Sequence, residues 1–237
     1  MPSPEARIAL LNEQQAAITR ALAAMDSGRW TGEDSVEAWL LALNPTLQGQ
    51  LSPRTPLYEP LGGSDIPAPR PVWKGSRNFW PGHGGFKPVA IVLHRMAGTL
   101  SSCDAWFAQP TSQVSAHFGI GLGGEQHQYV ALADSAWANG ILEPGNTWPG
   151  PPGNPNFQTI SIETEDNGSG ATPVTDEQYQ ATLEVANLAV QTYPSIRWLL
   201  RHTDISPNSR PDCCGRRWVD SGRFKKLAKR LNLETTV

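Results

Sequence analysis

Cysteine is scarce: three residues in 237, an odd number, with Cys213 and Cys214 adjacent. That count excludes a disulfide-stapled scaffold and fits a reduced compartment or metal binding. Long hydrophobic runs are also missing. No stretch approaches the ~18 apolar residues that a membrane helix needs, so no membrane span is expected. The opening residues, MPSPEARIALLNEQQAA, lack a basic region followed by an apolar one. No secretory leader is therefore expected, and synthesis in the cytoplasm is. Charged residues make up only 17% of the chain, and a net charge of −3 argues against a general nucleic-acid partner. No internal repeat or heptad pattern is visible, which excludes a coiled coil.

Glycine and proline, by contrast, are plentiful, at 22 and 21 residues, so the chain is rich in loops. Its length leaves room for one catalytic domain with a self-sufficient core plus a smaller remainder. Charge is unevenly spread. Residues 1–194 hold 9 basic and 18 acidic side chains, whereas residues 195–237 hold 10 basic and 4 acidic. A basic end on an acidic body has two readings, a local anionic partner or a solvated amphipathic helix.

Three segments follow from the pattern. In residues 1–44, Ile8, Leu11, Ile18, Leu22 and Met25 fall on one helical face interrupted by Gln15, and a second helix is expected over Glu33 to Leu43. Residues 45–72 carry seven prolines, which lock φ and remove N–H donors, so this stretch reads as an extended connector. Residues 73–237 form the body. There Val89 to His94 is a continuous apolar run suited to a central strand. Phe118 to Leu122 and Gln128 to Leu132 read as a hairpin around GGEQH, and Thr159 to Glu163 and Ile196 to Leu200 as further strands. Thr175 with Gln178 forms a capping box that opens a helix with Tyr179, Leu183, Ala186 and Val190 on one face. Asp220 to Leu231 reads as a single basic terminal helix. Interleaved strands and helices without strict alternation give a mixed α/β class, a central mixed sheet flanked by helices.

Two histidines close strands: His94 ends the first apolar run, and His202 follows the last strand. Ten to twelve residues beyond His202 lie Asp212, Cys213 and Cys214, with Pro207 and Pro211 stiffening the loop between. Two neutral imidazoles and one anionic ligand, with a fourth position left for water, suit catalytic rather than structural zinc. Of the other histidines, His117 and His127 read as structural, and His83 as a solvated loop residue. Cys103 reads as a small buried hydrophobe at a helix start. The stiff loop 140–157, with Trp148, reads either as a wall of a substrate site or as a packed surface loop.

The stretches VAIVLHRMAG, VSAHFGIGLGGEQHQYV, AWANG, TISIETED and RHTDISPNSRPDCCG occur in this order over residues 85–228. In that order they resemble the zinc-dependent N-acetylmuramoyl-L-alanine amidases (amidase type 2), which share a fold with peptidoglycan recognition proteins and amidase-type phage lysozymes. The resemblance implies one zinc ion and cleavage of the amide joining muramic acid to L-alanine. It makes His94 and His202 zinc ligands and Cys213 the third, with Asp212 as the alternative, and it makes Glu163 the catalytic acid/base. Arg210 stands near the place of the family's usual lysine. A guanidinium donates in a fixed fork but cannot lose its proton, so it would serve an oxyanion and not act as a general acid. Ala138 stands where the family often has histidine, and Ala116 where some phage members have tyrosine. Peptidoglycan is the implied partner, and a monomer is expected. The implied roles are an endolysin made without a leader and acting on the cell wall after release, a cytosolic amidase recycling soluble anhydromuropeptides, or a non-catalytic peptidoglycan-binding module.

Overall fold

The computed structural model describes residues 71–237, so the expectations for the helical segment 1–44 and for most of the 45–72 connector lie outside the described residues. In chain order the elements begin with β1 (Val72–Trp73), β2 (Phe79–Trp80), β3 (Ala90–Arg95) and α1 (Leu100–Phe107). Next come β4 (Phe118–Ile120), β5 (Gln126–Gln128), β6 (Ser135–Ala136) and β7 (Thr159–Thr164). The last are α2 (Asp176–Thr192), β8 (Trp198–Arg201), α3 (Arg216–Asp220) and α4 (Arg223–Leu231). The main sheet runs β1-β5-β4-β7-β3-β8, with β3 parallel to both β7 and β8 and β4 antiparallel to β5. This is the expected mixed sheet flanked by helices.

The period-2 alternation of strands divides the sheet into two faces. On one, Ile91, Leu93, Phe118, Ile120, Ile160, Ile162 and Leu199 meet the buried stripes of α2 and α4. Each such side chain taken fully from water contributes about 1.5–3 kcal/mol. On the other, Ala90, Val92 and Leu200 pack with Ile205, Leu142 and Trp148. Continuing that second face along the strands brings His94, Glu163 and His202 to one rim. Ser161 and Thr159 are buried polar residues on this face, where an all-apolar strand would have been expected.

Several local readings shift in the folded chain. The hairpin pairs Phe118 with Gln128 and Ile120 with Gln126, so the second strand starts two residues earlier than expected. Its turn is closed by the Gly121 N–H donating to the Glu125 carbonyl at 2.9 Å. Thr175 does cap α2, accepting from the Gln178 N–H at 3.0 Å. The Gln178 side chain does not complete a capping box; it is buried and donates to the carbonyls of Ile120 and Glu165, tying α2 to the sheet. The basic terminal helix is present and ends where expected but starts three residues later, at Arg223, because Gly222 takes φ +72, a conformation that breaks helical geometry and favours glycine. His83 is no solvated loop residue: its ring bridges the carbonyls of Leu132 and Phe157 at 2.8 and 3.1 Å.

His117 is structural, as expected. Its Nδ1 accepts from the Ser161 N–H at 3.0 Å and its Nε2–H donates to the Asp134 carbonyl at 3.1 Å, which fixes a neutral ring. Burial lowers its pKa from 6.5 to about 4. The folded state therefore resists protonation that the unfolded chain accepts. The stability this confers is complete above pH 6.5 and drains away as pH falls toward 4, by about 3 kcal/mol at the acid limit. Urea midpoints measured with chelator between pH 7 and 4 should fall across that window. His94 and His202, buried as well, add to the fall, so His117→Gln should make it shallower, and an unchanged slope would remove His117 from this role.

Candidate active site

The rim at the carboxyl ends of β7, β3 and β8 is where an open sheet with parallel strands presents ligands. The register sets His94 directly across from Glu163 on the neighbouring strand, and pairs Leu93 with Arg201, one residue before each histidine. The two imidazole rings lie 4.5 Å apart between centroids. The third component arrives from the loop after β8. The Arg95 N–H donates to Cys213 Sγ at 3.1 Å, and the Thr203 N–H donates to the Cys213 carbonyl at 2.7 Å. Sγ then stands 4.0 Å from His94 Nδ1.

One atom from each of His94, His202 and Cys213 lies within 4.8 Å of the others. Asn139, fully buried, orients both rings. Its side-chain oxygen meets His94 Nε2 at 3.1 Å, and its backbone carbonyl meets His202 Nε2 at 3.3 Å. With each Nε2–H committed to an oxygen, each Nδ1 is left as an acceptor. Burial, followed by the neighbouring His202 ring, holds the His94 pKa well below its usual value; burial alone is the chief cause for His202, brought to about 4. Both rings are thus neutral donors at pH 7, the form a metal requires. Burial, then Glu163, raises the Cys213 thiol, so in the absence of a cation this sulfur stays protonated. Two neutral imidazoles with fixed tautomers and one thiol fit a metal of zinc type.

Glu163 faces the same cluster, with Oε1 3.9 Å from His94 Nδ1. Its other oxygen is buried with no hydrogen-bond partner among the described residues. Burial, then the Asp166 carboxylate, pushes its pKa up to about 8, against the lowering influence of Arg210. Arg210 is exposed and lines the same cavity, its guanidinium held at one nitrogen by the Ser209 carbonyl at 2.9 Å. Asp212 goes elsewhere. Its carboxylate is 49% exposed and lies 3.7 Å from Arg95 Nη1, outside the three-residue cluster.

The cavity measures about 750 Å³ and is lined by His94, Glu163, His202, Arg210 and Cys213 together with residues of α1. No residue of the loop 140–157 lines it. That loop is a packed clamp: the Asn156 side-chain oxygen accepts from the N–H groups of Ala138 and Asn139, and Glu143 accepts from those of Asn208 and Ser209. It therefore holds both the histidine-orienting Asn139 and the segment carrying Arg210.

Residues 84–216 match the family described as N-acetylmuramoyl-L-alanine amidase. The chain belongs to this family. The 1,6-anhydro-N-acetylmuramyl-L-alanine amidase AmpD of Haemophilus influenzae is 36% identical over 110 residues, 42% of this chain and 52% of that protein. The chain thus spans about half the length of this curated relative. Among solved structures, a selenomethionine AmpD derivative superposes with a TM-score of 0.54 at 26% identity, over 68% of this chain and 95% of that one. The N-acetylmuramoyl-L-alanine amidase LysC from Clostridium intestinale has a TM-score of 0.50 at 20% identity, over 70% and 100%, a likeness of fold.

Within this chain, the sequence points to the strand-end groups and not to Asn139. In AWANG the departure from the family pattern is at Ala138, yet the next residue, Asn139, supports both histidines. The one available signal was a small polar residue, flanked by Gly140, in an otherwise buried segment. Arg95 was also missed. Its side chain is bound to the buried Asp166 carboxylate while its backbone holds Cys213, so the residue after His94 ties two loops to the site.

Proposed function

We propose that the chain is a zinc-dependent N-acetylmuramoyl-L-alanine amidase that acts on peptidoglycan, cleaving the amide between the lactyl group of muramic acid and L-alanine. The observation that carries this reading is one cavity holding a two-histidine, one-cysteine cluster beside a buried carboxyl with an unpartnered oxygen. His94, His202 and Cys213 would hold the zinc, leaving a position open. When bound, zinc supplies Lewis acidity toward a carbonyl and brings the pKa of water toward ~7.

The chain's own residues supply the proton handling. Glu163 accepts a proton from the attacking water as the new C–O bond forms, and gives it to the nitrogen of L-alanine as the C–N bond breaks. A carboxyl raised by burial is suited to both halves of that exchange near neutral pH. Arg210 donates to the carbonyl oxygen as negative charge grows there. Asn139 keeps both imidazoles in the tautomer and orientation that the metal needs. Asn139→Ala is accordingly expected to weaken zinc retention by roughly 10–100-fold. It should also cost about 1–3 kcal/mol of stability through the buried groups it abandons. Chelator competition and urea titration read the two effects, and undiminished zinc retention would remove Asn139 from this role.

Mass spectrometry of digested cell walls tests the function. Released stem peptides with free L-alanine amino termini are the expected result, and new reducing sugar ends in their place would refute it. The endolysin-type reading, with action on the cell wall, predicts release from intact walls. A second reading rests on the likeness to AmpD, whose name specifies a 1,6-anhydro sugar. It predicts that soluble 1,6-anhydromuropeptides are cleaved and intact walls are not.

A further inference from the structure

The last helix, α4, is bound to the fold by one side only. Phe224, Leu227, Ala228 and Leu231 are buried in the main core, and α4 packs against α2 and α3. Its outer side carries Lys225, Lys226, Lys229 and Arg230, all exposed. Lys225 and Lys229 are one turn apart, as are Lys226 and Arg230, so the four cations form two like-charge pairs that repel. Of the cations on α4, Arg223 alone has a carboxylate within ion-pair distance among the described residues, Asp176 at 2.9 Å.

The fold does not account for this array. Lys229 and Arg230 suit the negative end of the helix dipole. Lys225 and Lys226 stand near the start of the helix, where the dipole favours acidic side chains and none is present. Lys226 lies over the Tyr179 ring at 5.2 Å, a contact that orients the ammonium group and leaves its charge in place. The apolar side of α4 is taken up by the core, so the helix cannot sink into a bilayer as an interfacial helix does. None of the exposed large apolar side chains among the described residues lies on α3 or α4, so the array has no surface on which nucleobases would stack. What remains is a rigid row of cations that reads charge alone.

A flexible polyanion without bases fits such a row. Its repeated phosphates can follow neighbouring cations, and the counterions it releases drive the association. We propose that the outer face of α4 docks a linear phosphodiester polymer of the kind that accompanies peptidoglycan in cell walls, and so keeps the chain beside its substrate. α4 lies beyond residues 84–216, the amidase-family part of the chain, and none of its residues lines the catalytic cavity. Docking there leaves the active site free. The assignment rests on the peptidoglycan reading for the place where the polymer is met; the binding itself requires no turnover.

Fluorescence anisotropy of labelled poly(glycerol phosphate), titrated with the full chain, tests it. At about 50 mM salt the wild type should bind saturably, and its affinity should fall steeply as salt is raised. The variant with Lys225→Gln, Lys226→Gln, Lys229→Gln and Arg230→Gln should bind roughly 100-fold more weakly, with the slope of log affinity against log salt reduced by about 3. Its thermal midpoint should equal or exceed that of the wild type, and its turnover of N-acetylmuramoyl-L-alanyl-D-isoglutamine should be unchanged. Lys225→Arg, Lys226→Arg, Lys229→Arg and Arg230→Lys together should keep the binding. If the fourfold glutamine variant unfolds, the double variants Lys225→Gln/Lys226→Gln and Lys229→Gln/Arg230→Gln decide in its place, each with half the change in slope. No binding by the wild type, or binding that the glutamine variants leave intact, overturns the proposal. Tighter binding of oligothymidylate or of phosphatidylglycerol vesicles also overturns it, and gives the face to nucleic acid or to a membrane. Polymer binding by a chain that cleaves no muropeptide supports the docking face and refutes the amidase reading.

Discussion

Replacing Glu163 with glutamine is expected to cut muropeptide turnover by roughly 10²–10⁴-fold, the usual worth of a positioned acid/base. KM, zinc content and fold should change little. Glutamine keeps the shape and volume of the side chain, so its packing between β3 and β4 survives. What it loses is the ability to take up and return a proton. The location of the group makes the effect large. It sits across the strand register from His94, with one oxygen 3.9 Å from Nδ1 and the other buried without a partner. The other carboxylate that lines this cavity, Asp212, is turned to the Arg95 guanidinium at 3.7 Å. Because burial raises this carboxyl to about 8, its basic form grows as pH rises, and the acid limb of the pH–rate profile belongs to it. A cation at the neighbouring cluster favours the carboxylate and draws that limb to lower pH. Glu163→Gln should abolish the limb. Turnover within a few-fold of wild type would take the proton transfer away from Glu163.

Removing the sulfur should be equally severe. Cys213→Ser is expected to strip zinc by more than the roughly 10–100-fold that loss of a supporting partner costs, with activity lost alongside it. Asp212→Asn should leave zinc bound and activity within about twofold, the small effect usual for an exposed ion pair. The contrast arises because adjacent residues point apart. Cys213 Sγ is drawn inward by the Arg95 N–H, while the Asp212 carboxylate reaches outward to the guanidinium of the same arginine. Elemental analysis of the two purified variants separates the cases. Zinc retained in the first and lost in the second would move the third ligand to Asp212.

Much of this site was legible because the strands announce it. A buried parallel strand is a run of apolar residues, and a histidine or glutamate at its carboxyl end breaks that run conspicuously. His94, His202 and Glu163 all stand out in that way, and the resemblance placed them in one enzyme family. What was not legible depends on contacts without a period. Asn139 acts through one side-chain atom and one backbone atom on residues 45 and 63 positions away. No local pattern encodes that. Where Asp212 and Cys213 point is a matter of side-chain direction within a loop, which spacing leaves undetermined. Gln178 matched a capping box by position, yet the buried carbonyls of two strands competed successfully for its amide. The last helix begins after Gly222 and not at Asp220, a boundary set by one backbone angle.

The clamp formed by loop 140–157 has a consequence for how the protein can vary. That loop does not line the cavity, yet one of its asparagines fixes the segment that aims both imidazoles, and its glutamate holds the N–H groups of Asn208 and Ser209 beside Arg210. Its many prolines keep the chain nearly ordered before it docks, so little entropy is lost in holding these two anchors in place. Shortening the outer loop, though it looks like dispensable surface, would misalign the two imidazoles from behind.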